Sequence, residues 1–380
     1  MKVMIVVTHL LGTGHLSRAL TLGRAFVQDG HRTFIVSGGM PAPQLDSTGL
    51  TVLGLPPLRS DGTDFTRLLT QEGSVADPDY FEARKTALVE AIGTFAPDVL
   101  ITELYPFGRR SLAAEFTAAL EKARKMNPRP VILGSIRDIL APPSKPSKAE
   151  RAEEIVLEHY DGVLVHSDQN VVPLNISWPV SAQLENRLFY TGFVAPPAPT
   201  PHTDAIGKDE VLVSAGGGSV GQPIFRAAIE AARKMPNRRW RLLVGGQNAR
   251  ARIEQLAQLA GDVPVIVEPV RPDFRQMLPH AAASVSMCGY NTALDILQTG
   301  TPAVFIPFDD GKEIEQSLRG QTLSELPAIG VLPSKSLDGE ALFQSVSQVI
   351  ESGPRPVSTH GFDGAAQSVQ IAKRLWEQRT

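Results

Sequence analysis

The 380-residue chain is poor in several features that would narrow its role at once. It has a single cysteine, Cys288, so no disulfide can form within it, and the expected compartment is a reducing cytoplasm. It has no excess of either charge: 37 Lys and Arg stand against 40 Asp and Glu, a net of −3. With no run of five or six basic residues, nothing supports nucleic acid as a partner. No segment approaches the ~18 consecutive apolar residues of a spanning helix. The N-terminal apolar run is short and opens directly into a glycine loop, so it does not read as a signal peptide. Arg109 and Arg110 beside Phe107 would suit a weak peripheral contact at the inner membrane surface.

What is present is ordinary in bulk and informative in pattern. Apolar residues make up 42% and charged residues 20%, as in soluble globular chains. The length exceeds one core, which predicts two domains. "VMIVV" reads as a strand buried on both faces, and "HLSRALTLGRAFVQDG" as a helix that stops near Gly30. Strand candidates "TFIVSG", "TVLGL", "PDVLITE", "RPVILGS", "DGVLVHS" and "LFYTGFV" follow, with helix-like stretches at 82–95 and 109–126. After the proline-rich "APPAPTPHTDAIGKDE" the alternation restarts. Strands "VLVSAG", "RWRLLVGG", "PVIVEPV", "ASVSMCG" and "PAVFIPF" are separated by helices at 222–234, 248–260, 273–279 and 291–299, and a last helix is expected at 364–378. This βαβ rhythm predicts an α/β fold of two Rossmann-like, doubly wound domains facing an interdomain cleft. The boundaries are 1–195, a linker at 196–209, 210–362, and a C-terminal helix at 363–380 that packs back on the first domain.

Each half opens with strand, glycine loop and helix. In the first, "GTGH" puts His15 at the helix mouth, where it is a catalytic base, a ligand-binding group or a helix cap. In the second, "SAGGGSVGQ" spells G-x-G-x-x-G. Glycines let phosphate oxygens reach the free N–H groups and positive end of a helix. A dinucleotide enzyme also needs an acid near the end of the next strand. "IVSGG" and "LLVGG" carry none, which disfavours nicotinamide and flavin cofactors but not nucleotide phosphate. Further on, "SMCGYNTALD" starts another helix, where Asn291 and Thr292 can cap or touch phosphate and Asp295 can accept ribose hydroxyls. Glu315 and Gln316, after "FIPFDD", suit the hydroxyls of a sugar ring.

Taken together, "GTGHLSRALTLGRAFVQDGH", "GGGSVG" and the run "GYNTALD", "GTPAVFIPF", "EIEQSLRG" resemble the GT-B glycosyltransferases. The likeness is greatest to the bacterial family that adds N-acetylglucosamine to the lipid-linked peptidoglycan precursor, within the wider UDP-glycosyltransferases. The resemblance implies a nucleotide-diphosphate sugar, UDP-linked, held mainly by the second domain. Gly14, Gly217, Gly218 and Ser219 and the backbone at Gly289, Tyr290, Asn291 and Thr292 would meet the donor and its phosphates. The backbone at Val270 and Arg271 would read the base, Asp295 would take the ribose, and Glu315 and Gln316 the sugar. His15 corresponds to the proposed base of relatives. Glu103, ending "PDVLITE", would assist it or bind acceptor.

The resemblance also implies transfer with inversion, without a metal or cofactor. The helix dipole at residue 15 would keep the imidazole neutral, as a general base must be. The form Gly-x-Gly-His followed by Arg18 looks closer to the nucleotide-sugar hydrolases of pseudaminic acid synthesis, while segment 59–95 suggests an acceptor-binding surface. Hydrolysis, epimerisation of the UDP-N-acetylglucosamine 2-epimerase type and a silent sugar-nucleotide sensor are the alternatives. "DPD" at 77–79 mimics a metal-binding Asp-x-Asp but is read as a loop without that role. Cys288, His9 and His31 are read as packing or surface positions.

Overall fold

The computed structural model describes the chain except residues 44, 63, 216–220, 247, 309–313, 358–360 and 380, together with the side chains of 64–66. It divides into two compact units. Unit 1 comprises Met1–Pro196 and Gly361–Thr380, and unit 2 comprises Pro197–His360.

In unit 1 the chain runs β1 (Lys2–Val7), α1 (Gly14–Gln28), β2 (Arg32–Gly39), β3 (Thr51–Asp61), β4 (Asp64–Leu69), α2 (Pro78–Phe95) and β5 (Val99–Glu103). It continues through α3 (Ala113–Arg124), β6 (Val131–Arg137), α4 (Pro146–His159), β7 (Gly162–His166), α5 (Ala182–Glu185) and β8 (Leu188–Tyr190). The sheet order is β4-β3-β2-β1-β5-β6-β7-β8. Every pairing is parallel except the β3–β4 edge. β1 and β5 are mostly apolar and buried on both faces, as a sheet with helices on each side requires. Gly23 lets α1 lie close on β2, since a Cβ there would stand 2.9 Å from Ile35 Cδ1.

Unit 2 runs β9 (Val211–Ser214), α6 (Gln222–Arg233), β10 (Trp240–Val244), α7 (Ala249–Ala260), β11 (Val265–Pro269), α8 (Phe274–Met277), β12 (Ala283–Ser286) and α9 (Tyr290–Thr299). It closes with β13 (Ala303–Phe305), α10 (Glu315–Leu323), β14 (Ile329–Val331) and α11 (Gly339–Ser352). Its all-parallel order is β11-β10-β9-β12-β13-β14. The last helix, α12 (Gly364–Glu377), belongs to unit 1, where Val369 and Ala372 join the core of α1 residues Leu16, Leu20 and Phe26. Pro197 and the segment after it belong to unit 2, and His202 is held there by Asp273 at 2.9 Å.

One local expectation changes. "DPD" is not a loop: Asp77 caps α2 by accepting from the Tyr80 amide at 2.8 Å, with Pro78 in the first turn, where its missing N–H costs nothing. Segment 59–95 is the antiparallel β3–β4 edge followed by α2. In the Arg109–Arg110 patch Arg110 is exposed and Arg109 half-buried. Phe107 is buried edge-on against Trp178 at 5.3 Å, and Arg109 Nε donates to the Thr8 carbonyl at 2.6 Å. Among the described residues no helix is long and apolar enough to cross a membrane.

Each sheet reverses its build direction once. In unit 1 the chain leaves β1 towards β2 and returns on the other side with β5; in unit 2 the reversal falls between β9 and β12. Open α/β sheets bind ligands beyond the strand C-termini at this switch point. The described loops there are 8–13 and 104–109 in unit 1 and 287–289 in unit 2.

Candidate active site

In unit 1 the switch point carries a built cluster of side chains. His15 is the second residue of α1, and Glu103 is the last residue of the neighbouring β5. His15 Nδ1 lies 2.8 Å from Glu103 Oε1. The capping alternative is removed, because Thr13 occupies the cap position and the imidazole bonds the carboxylate instead. Arg18, one turn along α1, donates through Nη2 to Glu103 Oε1 and stands 3.0 Å from His15 Nδ1. Two bare acceptors 2.8 Å apart would repel, so Nδ1 carries the proton and donates to Oε1. The lone pair is then on Nε2, which makes no hydrogen bond among the described residues.

Exposure separates the two roles. The His15 side chain is 16% exposed and Glu103 only 1%; the ring can meet a substrate and the carboxylate cannot. Burial is the main cause that holds the imidazole down at about 3, with Arg109 and Arg18 adding to it and the Glu103 bond opposing. Desolvation leads among these causes, and the helix end anticipated from sequence would act in the same direction. Burial alone would raise the Glu103 carboxyl, but Arg18 and His15 outweigh it and hold it well below the usual carboxylate range. The result is an accessible neutral imidazole with its tautomer set by a buried anion, the arrangement of a general base and its orienting acid. Gly12 and Gly14 face open space.

In unit 2 the switch point is built of main chain. Gly289 is the cap residue of α9, with extended backbone, no side-chain cap bond and open space where a Cβ would project. The N–H groups of Tyr290, Asn291 and Thr292 stand in the first turn of α9, whose donors point out of the helix start. Asn291 and Thr292 lie inside the turn, since α9 begins at Tyr290, one residue earlier than read from sequence. Sequence reasoning missed Arg319. Buried behind this turn, it donates to the Cys288 carbonyl at 2.9 Å and lies 5.9 Å from the centre of the Tyr290 ring. A helix N-terminus favours an anion. Gly217, Gly218 and Ser219 lie outside the described residues.

The remaining donor candidates in unit 2 are all engaged. Asp295 Oδ1 accepts from Arg275 Nε at 2.6 Å, while burial pushes its carboxyl up against that pairing. One of its two oxygens is therefore committed before any ribose arrives. Val270 is 47% exposed, but its N–H donates to the Val244 carbonyl at 3.2 Å, which leaves its carbonyl to meet a base. Arg271 forks onto Asp273 at 2.8 and 2.6 Å. Gln316 accepts the Phe308 N–H at 3.1 Å through Oε1, leaving its NH₂ to donate, and Glu315 begins α10 half-buried. Cys288 is buried, as read, and so is His9.

Two doubly wound, largely parallel α/β units are the architecture of the GT-B fold. Residues 212–375 match the model of the glycosyltransferase family 28 C-terminal domain. An uncharacterized glycosyltransferase of Methanosarcina acetivorans is 24% identical over 373 residues, spanning 92% of this chain and 90% of that one. The UDP-N-acetylglucosamine–N-acetylmuramyl-(pentapeptide) pyrophosphoryl-undecaprenol N-acetylglucosamine transferase of Bacillus licheniformis is 26% identical over 149 residues, 39% of this chain and 40% of its own. Among solved structures, MurG of Acinetobacter baumannii superposes with a TM-score of 0.65 at 15% identity, covering 98% of this chain and all of that one. The chain is a nucleotide-sugar glycosyltransferase of the GT-B fold, similar to the UDP-N-acetylglucosamine transferases.

Proposed function

We propose that the chain transfers a hexose-type sugar from a UDP-sugar to an acceptor hydroxyl with inversion, using His15 as the base. In this reading Nε2 of His15 takes the hydroxyl proton as the oxygen attacks the anomeric carbon. The bond to the diphosphate breaks, and UDP leaves with the electron pair. Glu103 holds the opposite ring nitrogen and offsets the positive charge that the imidazole gains. The first-turn N–H groups of α9 and the glycine motif Gly217, Gly218 and Ser219 are the proposed contacts that neutralise the departing diphosphate, so no metal is assigned a step. Val270, Asp295, Glu315 and Gln316 are the proposed contacts to base, ribose and sugar.

The observation that carries the proposal is the 2.8 Å pairing of a partly exposed His15 with a buried Glu103 at a switch point. The uridine reading is supported by the likeness to the Bacillus licheniformis enzyme. The test is release of nucleoside diphosphate from UDP-, GDP- and dTDP-sugars, with and without lipid, saccharide and small-metabolite acceptors, in buffer and in EDTA. Acceptor-dependent release of UDP, unchanged by EDTA, is expected. Equal release in water would make the protein a hydrolase, and sugar isomerisation without release would make it an epimerase.

A further inference from the structure

Glu103 is held from its far side by a chain of side chains that the base assignment does not use. Glu103 and Ser135 are paired neighbours across β5 and β6, and Ser135 Oγ lies 2.5 Å from Glu103 Oε2. His166, the last residue of β7, puts Nε2 2.9 Å from the same Oγ. Its Nδ1 lies 2.9 Å from Thr191 Oγ1, just past β8. Glu103, Ser135, His166 and Thr191 are all buried.

Proton counting gives this chain a direction. The carboxylate only accepts, so Ser135 spends its single proton on Oε2. Its oxygen must then accept, and His166 carries its proton on Nε2. A neutral imidazole so protonated has a bare Nδ1, which takes the proton of Thr191. The opposite order would send the Thr191 proton to the Gly192 carbonyl, 2.8 Å away. Ser135 would then turn to His166 and leave the charged Oε2 facing a lone pair at 2.5 Å, a costlier contact than the neutral oxygens of Thr191 and Gly192 at 2.8 Å that the first order leaves. Burial favours the neutral ring that this order needs.

We propose that Ser135 and His166 are positioning residues: the chain Thr191 to His166 to Ser135 to Glu103 anchors Oε2 so that Oε1 holds His15 in its Nδ1–H form. This rests on His15 being the base, but its test does not depend on turnover. The full chain, labelled with ¹⁵N-histidine, is examined at pH 7 by long-range ¹H–¹⁵N correlation, with His15→Ala and His166→Gln assigning the two rings. His166 is expected neutral and protonated on Nε2, and His15 neutral and protonated on Nδ1. A His166 ring protonated on Nδ1, or on both nitrogens, would overturn the proposal.

In Ser135→Ala, His166 should switch to Nδ1–H and donate to Thr191, and the His15 ring signals should move. Ser135→Thr, which keeps the hydroxyl, should restore both. A Ser135→Ala protein that melts like the parent with unmoved His15 signals would reduce these residues to core packing and overturn the proposal. With a transfer assay in hand, Ser135→Ala should lower kcat about tenfold and leave KM for the UDP-sugar unchanged. Full turnover by His15→Ala, with the tautomers as stated, would remove the base and leave the chain of bonds standing.

Discussion

The two units solve the same geometric problem with different materials. The candidate site residues of both lie where the sheet reverses, after β1 and β5 in unit 1 and after β12 in unit 2. Unit 1 fills that place with side chains: His15, Arg18, Glu103, Ser135 and His166 form one bonded cluster. Around α9, unit 2 offers main chain, a capless helix start with open space at Gly289. A proton acceptor must have a defined tautomer and pKa, which only packed side chains supply. A diphosphate needs several donors at fixed spacing, which a helix start supplies without side-chain entropy loss.

The largest effect should come from unit 1. His15→Ala should lower transfer by about 10²–10⁴, the usual worth of a general base, while UDP affinity measured by calorimetry stays near the parent value. Glu103→Gln should follow with a loss of about a hundredfold, because the amide can hold the wrong ring nitrogen. Parent-like rates in Glu103→Gln would mean that the carboxylate does not set the tautomer.

Stability separates the units less sharply. Arg84 and Glu115 form a buried fork at 2.9 Å through two bonds, tying α2 to α3, and Arg84 also donates to the Gly38 carbonyl at 3.0 Å. Removing one partner leaves an unpaired buried charge, so Arg84→Met should destabilise unit 1 by about 3–5 kcal/mol in denaturant unfolding. A loss below 1 kcal/mol would show that water relieves Glu115.

The pH response follows chiefly from two histidines, the partly exposed His15 and the buried His166. His15 and His166 are both held at about 3 against an ordinary 6.5, chiefly by burial. The unfolded chain therefore binds more protons than the folded one between those values. Their stabilising contribution is complete above pH 6.5 and is lost as the pH falls towards 3. Glu103, held low by Arg18 and His15 despite its burial, adds a loss of the same sign below its ordinary 4.5. The melting temperature should fall as the pH is lowered from 7 to 5, and less steeply in His166→Gln. Equal slopes would mean that His166 is not neutral in the fold.

The smallest effects belong to unit 2. Asn291→Ala and Thr292→Ala should each weaken UDP binding by less than tenfold, under about 1.4 kcal/mol, because the helix start binds through its amides. A hundredfold loss in either would move the diphosphate contacts onto side chains and erase the contrast between the units.

The same contrast explains what could be read in the sequence. Strands such as β1 and β5 announce themselves as unbroken apolar runs between glycine or proline turns, and the switch-point helices follow glycine loops. His15 and Glu103 were legible because each ends or begins such an element. Arg18, Ser135 and His166 were not recognised as partners, since their bonds join residues 31 to 85 positions apart. Ser135 and His166 look like generic strand-end polar residues until β5, β6 and β7 are laid side by side. β4 was missed because its pairing with β3 is an edge hairpin, set by neighbours more than by its own pattern. The double duty of Asp295 and Arg275 is likewise a matter of α8 and α9 meeting in space.

The central claim is that His15, oriented by Glu103, is the base of sugar transfer. Its most direct test is acceptor-dependent UDP release by the parent and His15→Ala proteins at saturating donor, with UDP affinity measured on both. Loss of release with affinity retained is the predicted result; release at the parental rate from His15→Ala would contradict it.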